Sequence, residues 1–316
     1  MKTRAFQQVD VFTGVPFKGN PVAVVLDGDG LGTAEMQAIA RWANLSETTF
    51  VCGPDDPAAD YRLRIFTPMS ELPFAGHPTI GSAHAVLRHG RSPRTPARLV
   101  QQCGKGLVTL RIDGDRIFLA LPAPTFREPG ADEVARVADA LGIAARHVRR
   151  AAIIDVGPVW FTLQLADGAA VLELSPDMGK LSALQVTGVT GVNVFGLYPD
   201  ARPAHVEVRS FAPAAGVPED PVCGSGNGCV AALIRRDTVL PVSSYRASQG
   251  RRVGRDGRVE VEFAGDGVIW LGGQAVTCIE GTLCTGYRPG ARRAGERGQA
   301  LSHPRWKQCQ SRSPAR

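Results

Sequence analysis

Most of the chain either alternates apolar and polar positions or runs through short apolar stretches, and both patterns predict β-strands. The predicted strands cover residues 8–12, 21–26, 61–66, 151–156, 160–165, 191–198, 205–211, 258–263, 268–271 and 275–280. Helical periodicity predicts helices at 33–43 and 131–141, and two helices of small residues that end at Arg88 and Arg236. Many strands around a few helices indicate an α+β fold rather than a doubly wound parallel sheet.

One arrangement of residues occurs twice. Residues 64–68 (RIFTP) match residues 209–213 (RSFAP), and residues 75–77 (AGH) align with residues 223–225 (CGS). Each copy then enters a helix rich in small and apolar residues, which suggests a helix that is buried on all sides. We interpret the pattern as an internal duplication, which predicts two similar domains whose central helices both begin at the cleft between them.

A segment rich in Pro and Gly at 122–130 is the best candidate for a linker. We predict an N-terminal domain at 1–122, completed by a strand near 275–286, and a C-terminal domain at 123–274. Residues 288–316 lack apolar periodicity and are predicted to form a basic, disordered tail.

The net charge of +6 is concentrated at the end of the chain. Residues 288–316 contain eight Lys and Arg and one Glu, so the other 287 residues carry a net charge of −1. A nearly neutral folded part argues against nucleic acid as a partner, since basic tails are often merely solvated. No apolar run approaches the length of a membrane span, and the first ten residues lack the apolar core of a signal peptide. We therefore expect a cytoplasmic protein with no membrane partner.

The seven cysteines and six histidines do not form a metal-binding pattern. No Cys-x-x-Cys pair occurs, and the histidines show no ligand spacing with the cysteines. We expect no metal site, and most of the cysteines are expected to be inert core residues.

The second copy of the repeated turn, residues 220–228, has the composition of an anion-binding site. Its glycines leave backbone N–H groups uncovered at the positive end of a helix dipole. From the residues alone, Asp220 and His77 could each be a helix cap or a functional group. Glu47, which follows a predicted helix among apolar neighbours, is either an acid–base group or a plain surface or capping acid.

Four motifs in order resemble the phenazine-biosynthesis (PhzF-like) isomerase family. They are residues 9–12 with 17–24 (VDVF, FKGNPVAV), 44–50 (NLSETTF), 66–68 with 71–79 (FTP, ELPFAGHPT) and 219–225 (EDPVCGS). The resemblance covers residues 5–286 and implies a diaminopimelate epimerase-like fold, in which two pseudo-symmetric domains each wrap a mixed sheet or barrel around a central helix.

The resemblance also implies an activity. The family's best-known reaction is that of a trans-2,3-dihydro-3-hydroxyanthranilate isomerase, which moves a proton within a small unsaturated amino and hydroxy carboxylic acid and needs no cofactor. We therefore expect a small carboxylate substrate in an inter-domain cleft, and a homodimer.

By the same resemblance, Glu47 is the acid–base group, which must reach two carbons of one substrate in turn and whose pKa burial would have to raise. His77 and Asp220 match the polar pair that binds or polarises the substrate. The backbone amides at 76–77 and 224–225 would hold the substrate carboxylate between two helix N-termini. The positions that match substrate-binding residues are Asn20, Ser46, Gly76, Gly224 and Ser225.

Cys223 leaves two alternatives open. Related epimerases and racemases have a catalytic thiol at this place, whereas many PhzF-like proteins have Thr. The duplicated position of a second thiol is Ala75, so a two-cysteine mechanism is excluded, but an epimerase or racemase that pairs Cys223 with Glu47 remains conceivable. In that case the helix N-terminus should lower the pKa of the thiol. Cys223 could instead be a packing residue, and a third alternative is a non-catalytic protein that binds small carboxylates.

Overall fold

The computed structural model describes residues 2–184, 186, 188–200 and 204–286, so the predicted tail at 288–316 lies outside the described residues. The N-terminal half contains β1 Lys2–Val11, β2 Asn20–Val25, α1 Thr33–Ala43, β3 Thr48–Cys52, β4 Tyr61–Phe66, β5 Glu71–Leu72, α2 Gly76–Arg88, β6 Arg98–Cys103, β7 Gly106–Asp113 and β8 Arg116–Ala120. The next part contains β9 Thr125–Arg127, α3 Ala131–Ala140, β10 Arg150–Asp155, β11 Val159–Gln164, α4 Gly168–Glu173, α5 Met178–Ala183 and β12 Gly191–Leu197. The chain continues with β13 Val206–Ala212, β14 Val217–Asp220, α6 Gly224–Arg236, β15 Ser244–Gln249, β16 Gly257–Phe263 and β17 Ile269–Thr285.

Strand pairing repeats between the two halves, which supports the duplication read from the sequence. In the N-terminal half, β4 pairs antiparallel with β3 and β5 and parallel with β6. In the C-terminal half, β13 pairs antiparallel with β12 and β14 and parallel with β15. The parallel pair β2–β3 likewise corresponds to the parallel pair β11–β12. Each strand from β1 to β8 thus has its counterpart nine strands later.

The two halves exchange their last strands. β9 pairs with β10, the first strand of the C-terminal half, and the second part of β17 pairs with β1, where Ala275 lies opposite Val11. The first part of β17 lies between β16 and β8. The predicted boundary at residue 274 therefore falls inside one continuous strand that serves both halves.

The structure corrects one element. We predicted two strands, at 268–271 and 275–280, separated by a glycine pair, but β17 runs through without a break. Gly272 and Gly273 do not end the strand. Because they lack a side chain, the backbones of the neighbouring strands can come close to them. A Cβ on Gly272 would lie 2.3 Å from the carbonyl oxygen of Ile117 in β8.

The two central helices are buried as predicted. In α2, nine of the 13 residues are buried, and in α6 ten of the 13 are. The main core surrounds both helices and includes Ile80, Val86, Val230 and Ile234. A second core lies under α3, α4 and α5, and a third lies under α1. Within the described ranges, no helix is both long and apolar enough to cross a membrane.

Small residues let α2 pack directly on the sheet. A substitution at Gly81 tests how much this packing contributes to stability. A Cβ on Gly81 would lie 2.5 Å from Val22 Cγ1 and 2.8 Å from Val11 Cγ2, which are stiff β-branched side chains in the core. Gly81→Ala should therefore destabilise the protein by about 1–3 kcal/mol in chemical denaturation, although Ala is the better helix former.

Gly265→Ala is the control, because nothing lies within 4 Å of the added Cβ. We expect it to stay within about 0.5 kcal/mol of the wild type. A Gly81→Ala variant as stable as the control would contradict the packing argument.

Candidate active site

The N-termini of α2 and α6 meet. A Cβ on Gly224, the first residue of α6, would lie 3.5 Å from the backbone nitrogen of His77, the second residue of α2. The first amides of each helix have no intrahelical acceptor, and both helices direct the positive end of their dipole here. Two sets of N–H donors from opposite halves of the chain therefore face one place.

Glu47 lies beside this place, directly before β3. Its Oε2 is 3.4 Å from His77 Nε2, and 15% of its side chain is exposed. Its backbone carbonyl accepts a hydrogen bond from the Ala23 amide, which fixes the start of β3 against β2. Burial, and secondly the negative charge of Asp220, raises the pKa of Glu47 to about 8. The pKa therefore lies close to neutral pH, so both the protonated and the carboxylate form of Glu47 are accessible there.

His77 is neutral at this position. Burial lowers its pKa to about 3, against the opposing effect of a hydrogen bond to the backbone of Pro21. Proline has no N–H, so the ring donates to the Pro21 carbonyl. Nε2 faces Glu47 and has no hydrogen-bond partner among the residues that the structure describes, so we assign the donated proton to Nδ1. Nε2 then carries a lone pair toward protonated Glu47, and the close contact is not an ion pair.

Asp220 ends β14 and is tied to the N-terminal half. Its Oδ1 accepts hydrogen bonds from Asn20 Nδ2 at 2.9 Å and from the Val222 amide at 3.0 Å. Asn20 Nδ2 also donates to the Val222 carbonyl at 3.1 Å. Burial raises the pKa of Asp220 to about 6, while hydrogen bonds from Cys223 and Val222 oppose the rise. Asp220 is therefore mainly ionised at neutral pH, whereas Glu47 is not.

Three buried polar atoms at this place have no hydrogen-bond partner among the described residues: Glu47 Oε2, His77 Nε2 and Asn20 Oδ1. Buried polar atoms are normally hydrogen-bonded, and exceptions point to strain, catalysis or a missing ligand. These unpaired atoms lie together next to the two helix N-termini, where they could form hydrogen bonds to a bound ligand.

Cys223 is buried at the N-terminus of α6, where its thiol caps the helix. It is the N-cap of α6, and its Sγ accepts a hydrogen bond from the Gly226 amide at 3.3 Å. Only 4% of the residue is exposed. Burial, followed by the charge of Asp220, raises its pKa well above the usual thiol value. Desolvation outweighs the helix dipole here, so Cys223 is a thiol that caps a helix.

Ser225 has a partner that the sequence did not reveal. Trp160 Nε1, on β11, donates to Ser225 Oγ at 3.0 Å. The indole nitrogen is a donor only, so the Ser225 hydroxyl accepts this bond and keeps its own hydrogen to donate. Its other close neighbour is Cys223 Sγ at 3.6 Å. No spacing rule links residues 65 positions apart, and only the pairing of β11 within the sheet brings them together.

A buried amide network behind the turn also escaped the sequence reasoning. Gln249 Oε1 accepts from the Cys223 amide at 3.1 Å and from Asn227 Nδ2 at 2.7 Å. Gln249 Nε2 donates to the Asp220 carbonyl at 3.1 Å. Gln249 belonged to a matching segment, but nothing in the sequence indicated that it fixes the backbone on both sides of the turn.

The structure thus brings Asn20 to Asp220, Glu47 to His77, and Gly224 to His77. Gly76 begins α2, and Ser46 is partly buried directly before Glu47. Among the described residues, no group of three or more His, Cys, Asp or Glu side chains is arranged to hold a metal ion.

The raised pKa of Glu47 makes a testable contribution to stability. An unfolded Glu ionises near its model value of 4.5, whereas folded Glu47 holds its proton up to about pH 8. The folded state therefore binds more protons between these values, so this contribution to stability is lost as pH rises. Glu47→Gln removes the effect, and its stability relative to the wild type should increase by at least about 1 kcal/mol between pH 5 and pH 8.

Urea denaturation at a series of pH values measures this difference. Glu280→Gln, at an exposed position of β17, is the matched control and should show no such trend. A pH-independent difference between Glu47→Gln and the wild type would show that Glu47 ionises normally.

Comparisons with known proteins identify the family of the chain. The family model of phenazine biosynthesis-like proteins (PhzC-PhzF) matches residues 9–281. The "Antisense-enhancing sequence 1" protein of Schizosaccharomyces pombe is 43% identical over 296 residues, covering 89% of this chain and 99% of that protein. The trans-2,3-dihydro-3-hydroxyanthranilate isomerase of Pseudomonas fluorescens is 35% identical over 286 residues, covering 85% and 98%.

Solved structures confirm the predicted fold class. A PhzF-family phenazine biosynthesis protein of Bacillus anthracis superposes with a TM-score of 0.79 at 25% identity, covering 90% of this chain and all of that chain. A hydroxyproline epimerase of Agrobacterium vitis shares the fold alone, with a TM-score of 0.57 at 14% identity over 89% of this chain and 92% of that chain. The chain therefore belongs to the phenazine biosynthesis-like family and is an isomerase of the PhzF type.

Proposed function

We propose that this isomerase moves a proton between two carbons of a small unsaturated amino or hydroxy carboxylic acid, with Glu47 as the acid–base group. The observation that carries the proposal is the buried Glu47 carboxyl, whose pKa of about 8 lies close to neutral pH and whose Oε2 has no hydrogen-bond partner among the described residues. A catalytic acid or base is most effective when its pKa lies near the working pH.

The substrate carboxylate would lie between the N-termini of α2 and α6. The N–H groups of Gly76, His77, Gly224 and Ser225 belong to the first turns of these helices, so they are free to donate. The Ser225 hydroxyl, which accepts from Trp160, supplies a further donor. These N–H and hydroxyl donors would bind an anion although no basic side chain takes part.

The remaining polar groups suit an amino or hydroxyl substituent. Ionised Asp220 can accept a hydrogen bond from an ammonium or hydroxyl group, and the unpartnered Asn20 Oδ1 can accept another. Neutral His77 can accept a hydrogen bond from such a substituent at Nε2, without adding a positive charge that would lower the pKa of Glu47.

The proton transfer balances within one substrate. The carboxylate form of Glu47 removes a proton from one carbon, and the electron pair moves through the adjacent double bond. Protonated Glu47 then returns the proton to a second carbon and is restored as a carboxylate. Because one proton leaves and one proton returns, no oxidant, reductant or second substrate enters. The relative that is 35% identical makes trans-2,3-dihydro-3-hydroxyanthranilate the first substrate to test.

Glu47→Gln tests the acid–base role. The amide retains the shape and the contact with His77 but cannot carry the proton, so kcat for dihydro-hydroxyanthranilate should fall by at least about 10²-fold. The reaction is followed by the absorbance change of the conjugated product. Glu280→Gln is the matched control and should keep wild-type kcat; full turnover in Glu47→Gln would refute the proposal.

Cys223→Ala separates this function from an epimerase that uses the thiol. Because the buried thiol holds its proton, the variant should lose only a helix cap, about 1 kcal/mol of stability, and should keep kcat within about tenfold of the wild type. Solvent deuterium exchange at Cα of a panel of amino acids gives the opposite test. Exchange that the wild type catalyses and Cys223→Ala has lost would favour the epimerase.

A further inference from the structure

The register of the duplicated strands shows which residue takes the place of Glu47 in the C-terminal half. Phe66 and Phe211 are equivalent members of the repeated segments RIFTP and RSFAP. In β3 the residue directly before the partner of Phe66 is Glu47, and in β12 the residue directly before the partner of Phe211 is Gly191. Gly191 is therefore the counterpart of Glu47, and the C-terminal half has no side chain at the acid–base position.

The ring of Trp160 fills the space beside this glycine. Trp160 of β11 lies opposite Gly191 in the parallel pair of β11 and β12, and only 3% of the residue is exposed. A Cβ on Gly191 would lie 2.9 Å from Trp160 Cζ3 and 2.2 Å from the carbonyl oxygen of Phe211. A carboxyl side chain therefore does not fit at position 191 while the indole is in place.

The indole makes the contact that corresponds to the contact between Glu47 and His77. Ser225 aligns with His77 in the repeated turn, and each is the second residue of its helix. Glu47 Oε2 lies 3.4 Å from His77 Nε2, and Trp160 Nε1 lies 3.0 Å from Ser225 Oγ. The N-terminal half thus places an ionisable group beside the start of its central helix, whereas the C-terminal half places an N–H donor there that does not titrate.

We propose that Trp160 is a positioning residue of the isomerase, which holds the Ser225 hydroxyl as a hydrogen-bond donor to the substrate carboxylate. This inference rests on the proposed binding of that carboxylate between the two helix N-termini. Because the buried indole N–H occupies one lone pair of Ser225 Oγ, the hydroxyl hydrogen is directed away from Trp160. A donor that is oriented before the ligand arrives loses less entropy on binding than a freely rotating one.

The other acceptor near this hydroxyl is a weak one. Cys223 Sγ lies 3.6 Å from Ser225 Oγ and already accepts a hydrogen bond from the Gly226 amide at 3.3 Å. A carboxylate oxygen is a much stronger acceptor than a sulfur atom. The hydroxyl hydrogen therefore turns to a bound carboxylate at little cost.

A double-mutant cycle between Trp160 and Ser225 tests the proposal. Trp160→Phe keeps an aromatic ring but removes the N–H donor, and Ser225→Ala removes the hydroxyl. We expect KM for trans-2,3-dihydro-3-hydroxyanthranilate to rise at least about threefold in Trp160→Phe and about tenfold in Ser225→Ala, with kcat within about threefold of the wild type. Trp160→Phe should add nothing to Ser225→Ala, because the hydroxyl on which it acts is gone.

Calorimetric titration with 2-amino-3-hydroxybenzoate separates this proposal from the proposed reaction. The ring of this probe is aromatic, so it offers Glu47 no carbon-bound proton to remove, and its affinity is measured without turnover. We expect the dissociation constants of the four proteins in the cycle to follow the KM values. A wild type that does not bind the probe would overturn the proposed carboxylate site itself. Binding by the wild type, with effects that multiply in the double variant, would overturn only the role of Trp160.

Two further variants separate the hydrogen bond from packing. Trp270→Phe is the matched control, because Trp270 is a partly buried tryptophan of β17 whose ring lies against Arg111, and it should keep the wild-type KM. Replacing Trp160 by 3-benzothienylalanine keeps the size of the ring but exchanges the N–H for sulfur, so it decides the case if the smaller Phe ring loosens the core. This replacement should raise KM as Trp160→Phe does, and a wild-type KM would show that Trp160 acts by packing alone.

Discussion

The meeting of two helix N-termini is the constraint on which the rest of this site depends. With a Cβ on Gly224 only 3.5 Å from the His77 nitrogen, two positive dipole ends share one small volume. Negative charge must be supplied there, and Asp220 supplies it from the end of β14. Asn20 holds this carboxylate and also bonds the Val222 carbonyl, so the same side chain joins the halves and orients the anion between them.

Burial and hydrogen bonding then give the two carboxyl groups different pKa values. Asp220 receives hydrogen bonds from Asn20 and the Val222 amide, whereas Glu47 Oε2 receives none from a described residue. Similar burial consequently leaves the pKa of Asp220 near 6 but that of Glu47 near 8. In the proposed reaction, Asp220 serves as a fixed charge and Glu47 as the proton carrier. The neutral His77 is part of this arrangement, because an imidazolium beside Glu47 would cancel the rise in its pKa.

The two copies of the duplicated unit have diverged around a common frame. Their strands pair in the same order and their central helices each contain 13 residues, but their outer layers differ. The N-terminal half has only α1 over its outer core among the described residues, while the C-terminal half has α3, α4 and α5. Among the described residues, the additional helices give the C-terminal half a larger outer core than α1 gives the N-terminal half.

The sequence by itself determined the fold class, both central helices and the residues that meet at their N-termini, because periodicity, a repeated turn and short motifs are all local in the chain. It could not determine the protonation of Glu47, His77 and Cys223, since a pKa depends on burial by residues from both halves. Burial raises the pKa of Cys223, whereas an epimerase that uses this thiol would need a lowered value. Trp160 and Gln249 were likewise beyond sequence reasoning, because sheet pairing alone brings them to Ser225 and Cys223. The unbroken β17 was not predicted because the sequence does not distinguish a glycine that ends a strand from one that allows a neighbouring backbone to come close. Only the tertiary structure shows which neighbour is present.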